Sequence, residues 1–121
     1  MTRNELRRYR RANIEPGYTV QFKVRDRFFM GLSVVSLGAG GCCVKISMTL
    51  ATSLKPEDHL SKLLLLHPEL PRVPMEGRIS WIRGRQRGLK KDVLLMGIEF
   101  LSPDEGYAQL LDDYVIQLLK D

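Results

Sequence analysis

Histidine and cysteine are scarce in this 121-residue chain, with two of each. The cysteines, Cys42 and Cys43, are adjacent. Neighbouring side chains on a strand point to opposite faces, so the two are badly placed to bridge each other. Packed or half-exposed thiols in a reducing compartment are expected instead. With only His59 and His67 to add, a zinc site lacks its ligands. Long apolar runs are also missing. Leu63 to Leu66 and Val93 to Met96 are strand-sized, far below the roughly 20 residues of a membrane-spanning helix. The polar start Met1-Thr2-Arg3-Asn4-Glu5 has no apolar stretch behind it to serve as a signal peptide, so a cytoplasmic location is expected. Nor can a nucleophile, a base and an orienting group be assembled from identifiable motifs, which argues against an enzyme.

What is present is ordinary globular composition, 44% hydrophobic and 27% charged, without repeats or low-complexity tracts. A single domain over residues 1–121 is expected, made of an arginine-rich segment (1–16), a strand-rich body (17–101) and a C-terminal helix (102–121). The net charge of +5 is unevenly spread. Arg7, Arg8, Arg10 and Arg11 form one cluster; Arg83, Arg85, Arg87, Lys90 and Lys91 form another. Such clusters suit a phosphate-bearing partner: a nucleotide, a nucleic acid or an anionic surface.

From Tyr18 the pattern has period two. Tyr18, Val20, Phe22 and Val24 alternate with Thr19, Gln21 and Lys23, giving a strand with one core face and one wet face. Arg25-Asp26-Arg27 is a hairpin-sized connection to a longer strand, Phe28 to Leu37. Gly38-Ala39-Gly40-Gly41 joins that strand to Cys42–Met48. Strand is favoured over helix for Lys62 to Leu66, and Pro68, Pro71 and Pro74 mark a connection. Met75 to Arg83 alternates with Ile79 and Trp81 on one side, where Trp81, like Phe100, is expected in the core. After a basic turn, Gly84 to Gly88, comes Val93 to Leu101, in which Gly97 marks a bulge or close approach. Ser102-Pro103-Asp104-Glu105 has the layout of a capping box with Ser102 as N-cap and Pro103 in the first helical position. Behind it, Tyr107, Leu110, Leu111, Tyr114 and Leu118 make one apolar stripe. About six short strands and a terminal helix predict a mainly β protein, a small antiparallel barrel flanked by that helix.

Arg7 and Arg11 share a face if their segment is helical, and reach around a ligand from two sides if it is extended. Either way they offer planar guanidinium forks, which bind phosphate bidentately and match the O6/N7 edge of guanine. A glycine turn complements them, because bare backbone lets a ligand approach closely; plain hairpin chemistry also explains it. At this point the sequence resembles the PilZ domain family, six-stranded antiparallel barrels with a C-terminal helix that act as bacterial receptors for cyclic di-GMP. That family's RxxxR stands here as Arg7-Arg8-Tyr9-Arg10-Arg11. Its D/N-x-S-x-x-G aligns with Ser36-Leu37-Gly38-Ala39-Gly40-Gly41, with Gly41 in the final position, Ser36 where Asp or Asn is expected and Gly38 where serine is expected. GRISWIR at Gly77 to Arg83 and MGIEF at Met96 to Phe100 extend the likeness through most of the chain.

The resemblance implies a non-catalytic cyclic di-GMP receptor with Arg7, Arg8, Arg11, Ser36, Gly38 and Gly41 as ligand residues, no metal, and a protein partner downstream in second-messenger signalling. The two departures remove up to three hydrogen bonds of about 0.5–1.5 kcal/mol each, a weakening from a few-fold to roughly a thousandfold. The Ser36 hydroxyl and the Asn13 amide are candidates to replace them. A nucleotide-independent adaptor in motility or surface-attachment machinery is the alternative. A basic barrel that binds single-stranded nucleic acid through the Arg83–Lys91 cluster ranks last, since few exposed aromatics can serve as stacking platforms.

Overall fold

The computed structural model describes residues 10–84 and 92–120. Among them, seven strands and two helices follow in chain order: β1 (Arg11–Asn13), β2 (Thr19–Val24), β3 (Arg27–Gly38), β4 (Gly41–Ser47), α1 (Met48–Ala51), β5 (His59–Leu66), β6 (Met75–Arg83), β7 (Val93–Leu101) and α2 (Glu105–Lys120). All strand pairs are antiparallel, in the order β3-β2-β5-β6-β7-β4, and β4 pairs back onto β3. The result is a closed six-stranded barrel, with β1 added to β3 as an extra strand.

Closure depends on the length of β3. Its first part, Arg27 to Ser33, pairs with β2, and its second part, Val34 to Gly38, pairs with β4. Between Phe29 and Leu32, which face inward, both Met30 and Gly31 face out, and Gly31 takes φ +73°. Glycine adopts that left-handed conformation without a side-chain penalty, and the extra outward residue bends the strand between its two partners. The period-two rows then meet in the interior: Phe22, Leu37, Ile46, Leu60, Ile79 and Met96 are fully buried. Burying each such side chain is worth about 1.5–3 kcal/mol.

Three expectations are corrected. Ile79 and Trp81 do not share a face: β6 has a register shift between Ile79, opposite Ile98, and Trp81, opposite Gly97, so Ser80 is an extra residue and the alternation changes phase. Ile79 is buried, whereas Trp81 is half-buried on the outer side and not part of the core; Phe100 is in the core as expected. The N-cap of α2 is Asp104 rather than Ser102. Its Oδ2 accepts from the Tyr107 N–H at 3.0 Å, three residues ahead, while Ser102 sits at φ +43° and turns the chain out of β7 before Pro103. The buried face of α2 is Tyr107, Ala108, Leu111 and Val115, and Leu110, placed in the stripe from the sequence, is 40% exposed.

The helix lies against β1 and β3 and is tied to the barrel by aromatics. Tyr18 stacks on His67 with centroids 3.9 Å apart and bonds Tyr114 of α2 through their hydroxyls at 2.5 Å. The Tyr114 hydroxyl donates to Glu69 Oε1 at 3.0 Å. Burial, then the bonds to Tyr18 and Glu69, push the Tyr114 phenol well above its usual pKa, so this link stays protonated.

Candidate functional site

Strand register places the sequence-predicted residues on one outer surface. Arg11, Gly38, Gly41, Glu99, Arg78 and His59 stand opposite one another in a row across β1, β3, β4, β7, β6 and β5. Two residues along, Asn13, Ser36, Cys43, Gly97 and Trp81 form a second row. The structure thus brings Arg11, Ser36, Gly38 and Gly41 together. Arg7 and Arg8 lie outside the described residues, as does the basic cluster beyond Arg83 and all but the first residue of the Gly84 to Gly88 turn.

The glycines are there for close approach and not for turn geometry. Neither Gly38 nor Gly41 has a positive φ. A Cβ on Gly38 would come within 2.6 Å of the Arg10 carbonyl oxygen and 3.0 Å of Arg11 Cγ. One on Gly41 would collide with the Ile98 carbonyl and stand 3.2 Å from Arg11 Nη2. With both side chains absent, β1 packs down on β3, and the Arg11 side chain runs across Gly38 until its guanidinium lies against Gly41. The Phe100 N–H donates to the Gly40 carbonyl at 2.9 Å and fixes the turn to β7.

The two rows have different chemistry. In the first, Glu99 Oε1 accepts from Arg78 Nε at 3.0 Å and from Arg78 Nη2, and Arg78 Nη1 donates to Glu57 Oε2 at 2.8 Å. Glu99, then Glu57, raise the Arg78 pKa further, so this guanidinium is a permanent clamp. Arg11 has no ion pair or side-chain hydrogen bond among the described residues. In the second row, half-exposed Ser36 stands opposite exposed Asn13, the two groups proposed from the sequence as substitute ligands. Beside them, burial raises the Cys43 thiol above its usual pKa, with Arg11 and Arg83 pulling it back. Cys42, on the core side, is pushed up to about 12 by burial. Both thiols are free and held protonated.

Sequence reasoning missed Trp81, Glu99 and Arg78. The Trp81 indole lies on Gly97, where a Cβ would collide with the ring, and the Arg83 guanidinium lies over the same ring 4.5 Å from its centroid. Gly97 is therefore the close-approach site its position suggested. A bulge hid the orientation of Trp81. For Glu99 a signal existed: one acidic residue within the apolar strand VLLMGIEFL has to face out. Among the described residues no group of three or more His, Cys, Asp and Glu side chains is arranged to hold a metal ion. No described helix is long and apolar enough to cross a membrane.

The PilZ domain family matches residues 5–117. No curated protein matches the chain. Among solved structures, the chain is similar to the inhibitor of motility MotI/DgrA of Bacillus subtilis, with 20% identity, a TM-score of 0.78, and coverage of 99% of this chain and 53% of that one. It is also similar to the PilZ domain of YcgR from Escherichia coli with c-di-GMP, with 15% identity, a TM-score of 0.75, and coverage of 93% and 91%. A third is the K. pneumonia MrkH–c-di-GMP complex, with 9% identity, a TM-score of 0.79, and coverage of 93% and 52%. The chain thus spans about half the length of MotI/DgrA and MrkH, and at these identities the likeness is one of fold.

Proposed function

The chain belongs to the PilZ domain family, and from that premise we propose that it is a non-catalytic receptor module for cyclic di-GMP that relays the second messenger to a protein partner. One observation carries this reading: the guanidinium of exposed Arg11 lies on the bare backbone of Gly41 and has no ion-pair partner among the described residues. A purine or phosphate set on such a floor meets a bidentate donor with no side chain in the way. Arg7 and Arg8 join from the preceding segment, Ser36 and Asn13 line the adjacent row, and Arg83 on Trp81 forms its far margin. YcgR and MrkH, two of the similar structures, were solved with c-di-GMP, which supports the ligand class.

Calorimetric titration with cyclic di-GMP is the test. Binding that falls by tenfold or more in Arg7→Ala and in Arg11→Ala is expected, and no heat at high micromolar nucleotide overturns the proposal. Trp81 is the only tryptophan, so its fluorescence follows this face alone.

The second reading is a nucleotide-independent adaptor. It is favoured by Ser36 and Gly38, which stand where the family motif has an acid or amide and a hydroxyl, and by the likeness to an inhibitor of motility. A partner retained equally by wild type and Arg11→Ala, with or without nucleotide, decides for the adaptor. A partner captured only with nucleotide decides against it.

A further inference from the structure

We infer that Glu99 reads the base in this chain: its carboxylate accepts from the Watson–Crick edge of a guanine whose other edge faces Arg11, and so gives the site its preference for guanine over adenine. The inference rests on the receptor reading above. It begins from what the motif departures leave unexplained, namely where the anionic acceptor of the site has gone when position 36 is a serine.

The register answers this. Gly41 is flanked by Arg11 on one side and by Glu99 on the other: the point a Gly41 Cβ would occupy is 3.2 Å from Arg11 Nη2 and 3.3 Å from the Glu99 Cα. Glu99 and Gly41 are direct cross-strand partners, so the Glu99 side chain rises next to the bare floor, one strand away from it. Arg11 and Glu99 make no ion pair with each other, so the two charges are not already spent on one another. Arg78 holds the carboxylate from its far side through Oε1 alone. Oε2 accepts no hydrogen bond among the described residues, and the side chain is 27% exposed.

The chemistry follows from the pairing of a guanidinium and a carboxylate that both border one bare glycine. Guanine offers acceptors at O6 and N7 and donors at N1–H and N2–H; the fork of Arg11 suits the first pair and the carboxylate suits the second. Adenine has an unprotonated N1 where guanine has N1–H, so the same carboxylate would face a lone pair and leave its own acceptor unpaired. A cyclic dinucleotide also brings two phosphates, which an uncompensated carboxylate would repel. Arg78 offsets that charge and fixes the rotamer in advance, so little ordering is left for the ligand to impose. The acid has thus moved from β3 to β7, and Ser36 need only be small.

The test is titration of cyclic di-GMP and cyclic di-AMP into wild type and Glu99→Gln, with melting of the unliganded proteins to confirm the fold. The amide keeps the shape, loses the charge and can donate to adenine N1. The expected result is cyclic di-GMP binding weakened by about tenfold or more, cyclic di-AMP binding unchanged or improved, and the preference narrowed accordingly. Arg78→Lys, which keeps the charge but removes the two-donor clamp on Oε1, should move both in the same direction by less. In the Glu99→Gln background, Ser36→Asp should restore part of the lost preference. If wild type binds cyclic di-GMP and Glu99→Gln keeps the same preference, whether at full affinity or with a uniform loss for both nucleotides, the inference is overturned and the receptor reading stands. If wild type binds neither, the receptor reading falls and this inference with it.

Discussion

Arg11 and Arg25 have the same side chain and opposite surroundings. Arg25 sits in the β2–β3 hairpin at φ +54°, where Nη1 donates to Asp58 Oδ1 at 3.1 Å and Nη2 donates to the Ser53 carbonyl at 2.8 Å. Asp58 is 7% exposed and also accepts from the Lys55 N–H at 3.0 Å. Burial alone would raise the Asp58 pKa, but the bonds from Arg25 and Lys55 outweigh it and hold the carboxyl below its ordinary value. That guanidinium joins the hairpin to the loop before β5 through both terminal nitrogens. Arg11 has a glycine floor in place of a carboxylate. A guanidinium that already has its carboxylate is scaffold, and one laid on bare backbone is available to a guest.

The contrast can be broken most severely at the floor. Gly41→Ala puts a Cβ against the Ile98 carbonyl, which is backbone in a paired strand and cannot swing aside. A loss of about 3 kcal/mol in denaturant unfolding is expected. Gly84→Ala, whose Cβ would meet only Leu94 Cδ2 at 3.8 Å, should stay within about 0.5 kcal/mol of wild type. Next in size is Asp58→Ala, which leaves the Lys55 N–H without its acceptor and Arg25 with the Ser53 carbonyl alone. It should cost about 2 kcal/mol while nucleotide affinity is unchanged. The same carboxyl gives a pH signature. Its folded pKa lies below the ordinary 3.8, so its contribution is complete above that value, shrinks as pH falls below it, and is gone once pH has passed the folded pKa. Asp58→Asn should therefore show a flatter loss of stability than wild type in acid unfolding below about pH 4. Smaller again is Asp104→Ala, which removes the acceptor of the Tyr107 N–H and should cost about 1 kcal/mol, with Ser102→Ala costing less.

Much of the barrel was legible because its strands are half-buried, and half-burial writes period two into the sequence. Met75 to Arg83 and Val93 to Leu101 match β6 and β7 residue for residue. Legibility failed where one residue breaks the period. The extra Ser80 reversed Trp81 and turned an expected core residue into part of the surface. The cap of α2 was misplaced because Ser102 and Asp104 are both good N-cap types, and only the positive φ of Ser102 separates them. In the candidate site, Arg11, Ser36, Gly38 and Gly41 were readable as motif positions, though not Arg11 as part of a strand. The outward face of Glu99 was readable too, but its place beside Gly41 and its pairing with Arg78 were not, because they arise from cross-strand register, which no spacing along the chain encodes. β1 was missed for a related reason: three residues, Arg11–Asn13, are too few to display a period, and they are strand only because β3 offers them an edge.

The smallest expected change in stability is the one that separates the two arginines most sharply. Arg11→Ala removes an exposed side chain with no ion pair among the described residues, so its stability should lie within about 0.5 kcal/mol of wild type. Its cyclic di-GMP affinity should nevertheless drop by about tenfold to a hundredfold, the size of one charge-assisted contact to the ligand. Asp58→Ala should give the opposite pair of results, less stable and equally able to bind. Denaturant unfolding and calorimetry on the same two variants therefore place each arginine on two axes. If Arg11→Ala lost as much stability as Asp58→Ala and bound nucleotide as wild type does, the glycine floor would be a packing device for β1, and Arg11 would join Arg25 as scaffold.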